Sequence, residues 1–216
     1  LYILATTYTT PPMTTPDAIF PGHQGGMDGF IMKFSGDDYR LVYGSCFGGP
    51  GDDLFSGMAT DGCSVALVGT TISNGYPLVN AVQGNLNGVR NFIISRVSLT
   101  GRTIVFSTYL GGEGYESVPT DDRLLRTVRF DGAGNLFLTG MTSSRQFPVT
   151  DVISSFGEGG NDIVLCTFAP DGTLRFSTRL GSTNHDYCGE LDVDACGNVI
   201  LTGQARGMDF PLVHPL

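Results

Sequence analysis

Short apolar runs with alternating side chains, each closed by glycine or proline, recur along this chain of 216 residues. The clearest runs from Gly134 to Val149 (GNLFLTGMTSSRQFPV), and it returns without a gap from Gly197 to Leu212 (GNVILTGQARGMDFPL) and from Cys63 to Leu78 (CSVALVGTTISNGYPL). Each copy has a turn residue, a β-branched and aromatic run, a glycine, and an aromatic-Pro pair whose proline follows that glycine by eight residues: Gly69/Pro77, Gly140/Pro148, Gly203/Pro211. Four further segments recur in the same order. One is Phe30 to Phe34, matched by Ile93 to Val97 and Val164 to Phe168; the next is Leu41 to Phe47, matched by Ile104 to Leu110 and Leu174 to Leu180. In the second set the first, third and seventh positions are apolar or aromatic in every copy, the spacing that puts alternate side chains against a packed sheet. A Gly-rich turn follows, then a short strand (Gly57 to Thr60, Val128 to Asp131, Leu191 to Asp194) that leads back into the opening motif. Leu1 to Thr7 reads as a diverged copy of the opening strand, and short helical turns are expected near Asp17 to Phe20 and Asp151 to Ser155.

Composition narrows this pattern without redirecting it. Glycine is about twice its ordinary frequency, which suits many tight turns between short strands. At 41% hydrophobic and 15% charged the chain is too apolar for disorder, and no run is long enough for a membrane span. A net charge of −9, with Lys33 the one lysine, repels phosphate backbones and speaks against nucleic acid as a partner. Because Leu1 falls inside a strand-like run, the chain is expected to be an excerpt or a processed piece.

Four strands per repeat of about 63 to 71 residues is the pattern of one propeller blade. The combination of FxxKF, STYLGGxG and GNxxLTGxTxSxxFP resembles the bacterial SBBP β-propeller repeat over essentially the whole chain. Two departures stand out: the third Gly-rich turn is reduced to Gly181-Ser182, and Cys63 stands where the other copies have a turn glycine. The resemblance implies an all-β fold, a β-propeller of four-stranded antiparallel blades in which the opening motif is the second strand. With that phase, residues 1–56 form a partial blade, 57–112 and 113–182 two blades, and 183–216 another partial blade, about 13 strands in one arc of three to four blades. It also implies a secreted or cell-surface bacterial protein with protein or glycan partners, its open edges completed by remaining blades or neighbouring subunits.

Candidate chemistry is sparse. The connection from fourth strand to next first strand varies in length: Leu110 to Phe130 is about eight residues longer than Phe47 to Ala59 or Leu180 to Val193. The extra loop, Glu113 to Leu125, is expected beside the aromatic-Pro loops, because both connections leave a blade on one face; insertions gathered on one face mark binding surfaces. The candidate binding set on that face is Asp52, Asp53, Glu113, Glu116, Asp121, Asp122, Phe147 and Phe210. The acidic pairs could hold Ca²⁺, the one cofactor considered, yet no DxDxDG spacing occurs, and Asp192 to Gly197 comes closest with cysteine where an oxygen ligand belongs. Aspartates in such positions also cap turns through their own backbone. The three histidines form no zinc pattern, and no GxSxG elbow or phosphate loop is present, so no catalytic or metal residue is assigned. An enzyme of the lyase or glycosidase class would draw on Asp192 and Asp194, and a structural subunit of a filament or surface complex is the third class considered. Lys33, Arg96 and Thr167 share one column, read as solvent-facing. Cys188 and Cys196 would flank opposite ends of one strand, about 20 Å apart at ~3.3 Å per residue, too far for a disulfide; Cys46 and Cys166 read as small packing residues.

Overall fold

The computed structural model describes residues 1–98, 102–119, 126–151 and 159–211. The protein is all-β, with no helix among these residues, and every strand pairing is antiparallel. The first sheet holds β1 (Tyr2–Thr7), β2 (Asp28–Phe34) and β3 (Leu41–Phe47) in that order. The second holds β4 (Asp53–Thr60), β5 (Ser64–Thr71), β6 (Asn91–Ser98) and β7 (Ile104–Leu110). In the third, β10 (Leu136–Thr142), β11 (Asp162–Phe168) and β12 (Leu174–Leu180) follow two short strands, β8 (Glu116–Ser117) and β9 (Val128–Phe130), both paired to β10. The fourth holds β13 (Tyr187–Val193) and β14 (Val199–Gln204). The opening motif thus forms β5, β10 and β14, and β1 pairs with β2 in the register in which β5 pairs with β6.

Alternate side chains of each sheet pack against the next sheet in chain order. Ile31 and Phe47 of the first sheet meet Val65, Leu67 and Ile93 of the second. Phe92, Phe106 and Leu110 meet Leu136, Leu138 and Phe168 of the third, with Phe106 and Phe168 stacked at 5.7 Å between ring centres. Phe137 and Leu165 meet Leu191 of the fourth. Because β5, β6, β10 and β11 are covered on both faces, they are buried along almost their whole length and are near-continuous in apolar residues.

Strand β4 carries a bulge between Phe55 and Gly57, and β13 an irregularity between Cys188 and Leu191. The third sheet meets its long insertion at the same register. β8 pairs Glu116 and Ser117 with Thr142 and Met141, and β9 pairs Val128 with Leu138, so eight residues, 119–126, stand where the single Ser56 bulges out of β4. The insertion therefore interrupts the first strand of its sheet and does not lengthen the preceding connection, which also splits that strand and brings the number of strands among the described residues to fourteen. A bulge already leaves one residue outside the ladder, so lengthening it costs little pairing.

Three other expectations need correction. Arg96 and Thr167 are buried, at 8% and 9% exposure, and over Arg96 fold two turns of the third sheet, at Gly134 and Pro170, while Lys33 is half-buried. The turn glycine of the second sheet is not replaced by Cys63 but shifted to Gly62 in a loop one residue shorter: Gly62, Gly134 and Gly197 all hold φ between 79° and 88°, a region that favours glycine. Residues 17–20 form a turn and bend, not a helical one, since Ser45 Oγ and Tyr43 Oη take the Phe20 and Ile19 N–H groups; the other expected turn, 151–155, lies almost wholly outside the described residues.

Candidate functional site

Where one sheet hands over to the next, an acid heads each new first strand: Asp53 at β4, Glu116 at β8 and Asp186 just before β13, all fully buried. Each is held from the Gly-rich turn by a backbone N–H four residues earlier, Gly49 to Asp53 at 2.7 Å, Gly112 to Glu116 at 3.4 Å and Ser182 to Asp186 at 2.6 Å. Each also receives one serine hydroxyl. In the first two junctions it comes from the end of the opening motif, Ser73 to Asp53 at 2.7 Å and Ser144 to Glu116 at 2.5 Å. In the third, Ser182 of the Gly-rich turn itself donates to Asp186 at 2.8 Å.

This exchange explains the reduced third turn. A Cβ on Gly49 would lie 2.9 Å from Ser73 Cβ, one on Gly112 2.7 Å from Ser144 Cβ, and one on Gly207 2.4 Å from Ser182 Cβ. Gly207 occupies the place of Ser73 and Ser144, so the third junction swaps glycine-serine for serine-glycine and delivers the hydroxyl from the opposite backbone. In all three the same hydroxyl also receives a turn N–H, from Gly51, Gly114 and Asn184.

The expected binding residues divide sharply. Asp53 and Glu116 face the interior, where burial pushes both carboxyls above their ordinary values; the Thr71 and Ser73 hydroxyls oppose this at Asp53, as Ser144, Thr142 and Asn91 do at Glu116. Phe147 is likewise buried, edge-on to Phe92 at 6.2 Å, and Tyr76, its counterpart in the preceding copy of the motif, is 3% exposed. These side chains are packing groups, so no exposed aromatic patch is built from them. Asp52 receives the Met27 N–H at 2.9 Å and ties two sheets together. Glu113 is exposed and caps the end of the opening motif, receiving the N–H groups of Arg145 at 2.9 Å and Gln146 at 3.1 Å. Phe210 is half-buried; Asp121 and Asp122 lie outside the described residues.

The chain matches no protein-family model and no curated protein.

Asp192, first in line for an enzyme, is engaged by Arg129 of β9 at 3.3 Å. Asp194 caps its own turn, with Oδ1 receiving the Cys196 and Asn198 N–H groups at 2.8 Å and Oδ2 the Asn198 amide; Asp131 does the same with Ala133 and Asn135. The carboxyls raised by burial, Asp28, Asp53, Glu116 and Asp162, lie buried in the sheet junctions. A cleft between the first two sheets, edged by Tyr2, Lys33, Tyr43 and Arg102, has about 30 Å³, room for a water or two and far below the size of a ligand site.

All five cysteines are free: Cys46, Cys166 and Cys188 are buried, Cys63 and Cys196 exposed in hairpin turns. Burial pushes the thiol of Cys46 up to about 11, and those of Cys166 and Cys188 to about 12. A mass-tagging thiol reagent at neutral pH is expected to label Cys63 and Cys196 in the folded protein and the other three only after denaturation, which mass spectrometry reads directly.

Proposed function

We propose that the four sheets are consecutive blades of a β-propeller of the SBBP type, and that the protein is a non-enzymatic scaffold, secreted or at the cell surface, that binds protein or glycan. The observation that carries this reading is that three successive junctions repeat one buried polar arrangement, whereas the chain departs from its own pattern in the insertion 119–126. A framework repeated so closely sets geometry; a segment unique to one repeat is where selectivity is expected to reside. The insertion leaves the sheet at buried Val118 and returns through Arg126, whose carbonyl receives the Leu191 N–H of the fourth sheet at 2.7 Å. In a propeller the first strand of each blade lines the central channel, so Val118 and Arg126, the described residues at the two ends of the insertion, would stand at the channel side. The outer edges of β1 and β14, which pair with no further strand among the described residues, would take up remaining blades or a neighbouring subunit.

Excising 119–126 in favour of one serine, as in β4, tests the reading. The melting temperature is expected to stay within about 4 °C, the shift of roughly 1 kcal/mol in a domain of this size, while binding on a glycan array or to surface proteins from the same cell is lost. Turnover of a polysaccharide by the intact protein would instead place it among lyases or glycosidases.

A further inference from the structure

A second set of polar residues, opposite the acids already described, heads the third strand of the repeat: Asp28 at β2, Asn91 at β6 and Asp162 at β11, all buried. In the middle junction the chemistry is explicit. Asn91 Nδ2 donates toward the carbonyls of Asn87 at 2.7 Å, Arg90 at 3.1 Å and Gly112 at 3.4 Å, and to Glu116 Oε2 at 3.0 Å; its Oδ1 receives the Asn87 N–H and the Gln83 amide, both at 2.8 Å. Asp28 sits the same way. Its Oδ2 receives the N–H of Gln24, four residues earlier as Asn87 is, at 2.5 Å.

Its Oδ1 takes the place of the Asn91 nitrogen. A Cβ on Gly48 would lie 2.1 Å from Asp28 Oδ1, one on Gly111 2.3 Å from Asn91 Nδ2, and one on Gly181 2.2 Å from Asp162 Oδ1. Where the middle junction sets a donor among acceptors, the outer two set a carboxyl oxygen, and neither Asp28 Oδ1 nor Asp162 Oδ1 has a hydrogen-bond partner. An ionised oxygen there would be buried, without a protein donor and next to other acceptors, a costly arrangement for a buried polar group. A protonated carboxyl has the shape of an asparagine amide and offers a hydrogen from the same side.

We infer that Asp28 and Asp162 are held as neutral carboxylic acids with the proton on Oδ1, directed across the junction toward Asp53 and Asp186, so that two of the three junctions are proton-dependent locks. Asn91 supplies the same donor to the middle junction from an amide that has no proton to lose. The groups facing Asp28 are His23, with Nε2 4.0 Å from Oδ2, the Cys46 thiol of β3 and Asp53 of β4, with Asp52 holding the Met27 N–H and Tyr76 beyond Asp53. Those facing Asp162 are Arg179 of β12, with Nη1 3.6 Å from Oδ2, Asp186, and the His185 ring beside Gly160. Burial raises the carboxyl of Asp28 against the pull of the Gln24 N–H and His23, and that of Asp162 against Arg179, where the charge of Asp186 adds to the rise. A neutral junction acid rather than a bound cation is favoured because the middle repeat fills the position with an amide, which no cation resembles.

For a carboxyl raised on folding, the stability it confers is complete below its ordinary value of 3.8 and is lost as pH climbs through the raised one. Melting curves of the intact protein from pH 4 to pH 8 test the lock. Asp28→Asn and Asp162→Asn are each expected to melt about 2–4 °C above the parent at pH 8, with the advantage vanishing toward pH 4. Asn91→Asp is expected to create a third lock: a deficit at pH 8 that closes as pH falls. An Asp28→Asn protein that fails to fold or melts below the parent at pH 8, or an Asn91→Asp deficit that does not change with pH, overturns the inference. So does Ca²⁺ at pH 8, measured against a chelator, if it stabilises the parent but not Asp28→Asn.

Discussion

Arg96→Ala is expected to cost about 3–5 kcal/mol, the usual loss when one member of a buried ion pair is removed, read as a shift of the denaturant midpoint at unchanged slope. The guanidinium ties three segments at once. Its Nη2 bonds the Asp61 carboxylate at 2.5 Å, its Nε the Ser64 hydroxyl at 2.8 Å, and its Nη1 the Gly134 and Pro170 carbonyls of the third sheet at 2.9 and 3.3 Å, with its plane 4.9 Å from the Phe130 ring centre. Truncation leaves two carbonyls and a carboxylate short of donors. Arg96→Lys keeps the charge but presents one ammonium where a planar fork reaches four acceptors, so it is expected to recover little of the loss. Partial burial opposes ionisation of Asp61, yet the Ser64 and Cys63 N–H groups, the Ser64 hydroxyl and Arg96 outweigh it and hold the carboxyl below its ordinary value. Its contribution is therefore present above pH 3.8 and lost as pH falls below that. In the alanine variant the acid limb of the stability curve becomes shallower, a readout that a merely smaller core would not give.

The second expected result is a rescue. Gly112→Ser alone forces a new Cβ to within 2.7 Å of Ser144 Cβ and is expected to cost about 1–3 kcal/mol, the range for overpacking. Ser144→Gly alone removes the hydroxyl that Glu116 and the Gly114 N–H share, for about 1–3 kcal/mol more. Combined, they recreate the Ser182/Gly207 arrangement of the third junction, so the double variant should be more stable than the sum of the single losses by at least about 1 kcal/mol, a coupling that a double-mutant cycle measures. Strictly additive losses would mean that the two arrangements are not equivalent.

How much of this was legible in the sequence depends on the range over which each signal acts. Alternation within five to seven residues located the strands, and the repetition of the opening motif ordered them, because strand pairing between neighbours in the chain is a local matter. The Asp194 turn was legible for the same reason: the aspartate caps residues two and four positions on. Arg96 was not. Its partners Gly134 and Pro170 lie 38 and 74 residues away, and a single strand position cannot tell whether another sheet's turn folds over it. The insertion was counted correctly but placed at the wrong point, since a bulge has no composition of its own and shows only in the register with the partner strand. The acids Asp53 and Glu116 looked like surface binders because a carboxylate next to a Gly-rich turn reads as exposed; what buries them is the next sheet. The column Asp28, Asn91, Asp162, one or two residues ahead of the recurring apolar run, could have been found in the sequence. A polar residue kept at one place in every copy, beside a run that is otherwise apolar, is the signature of an internal contact.

The bulge at Ser56, its irregular counterpart near Gly189 and the interrupted strand of the third sheet stand at one register on three successive sheets. The molecule thereby has three equivalent ports, one already furnished with eight residues and two with a single residue. Foreign loops grafted at Ser56 and Gly189 would leave their sheets at equivalent points, at spacings set by the sheets themselves, which makes the fold a template for multipoint recognition.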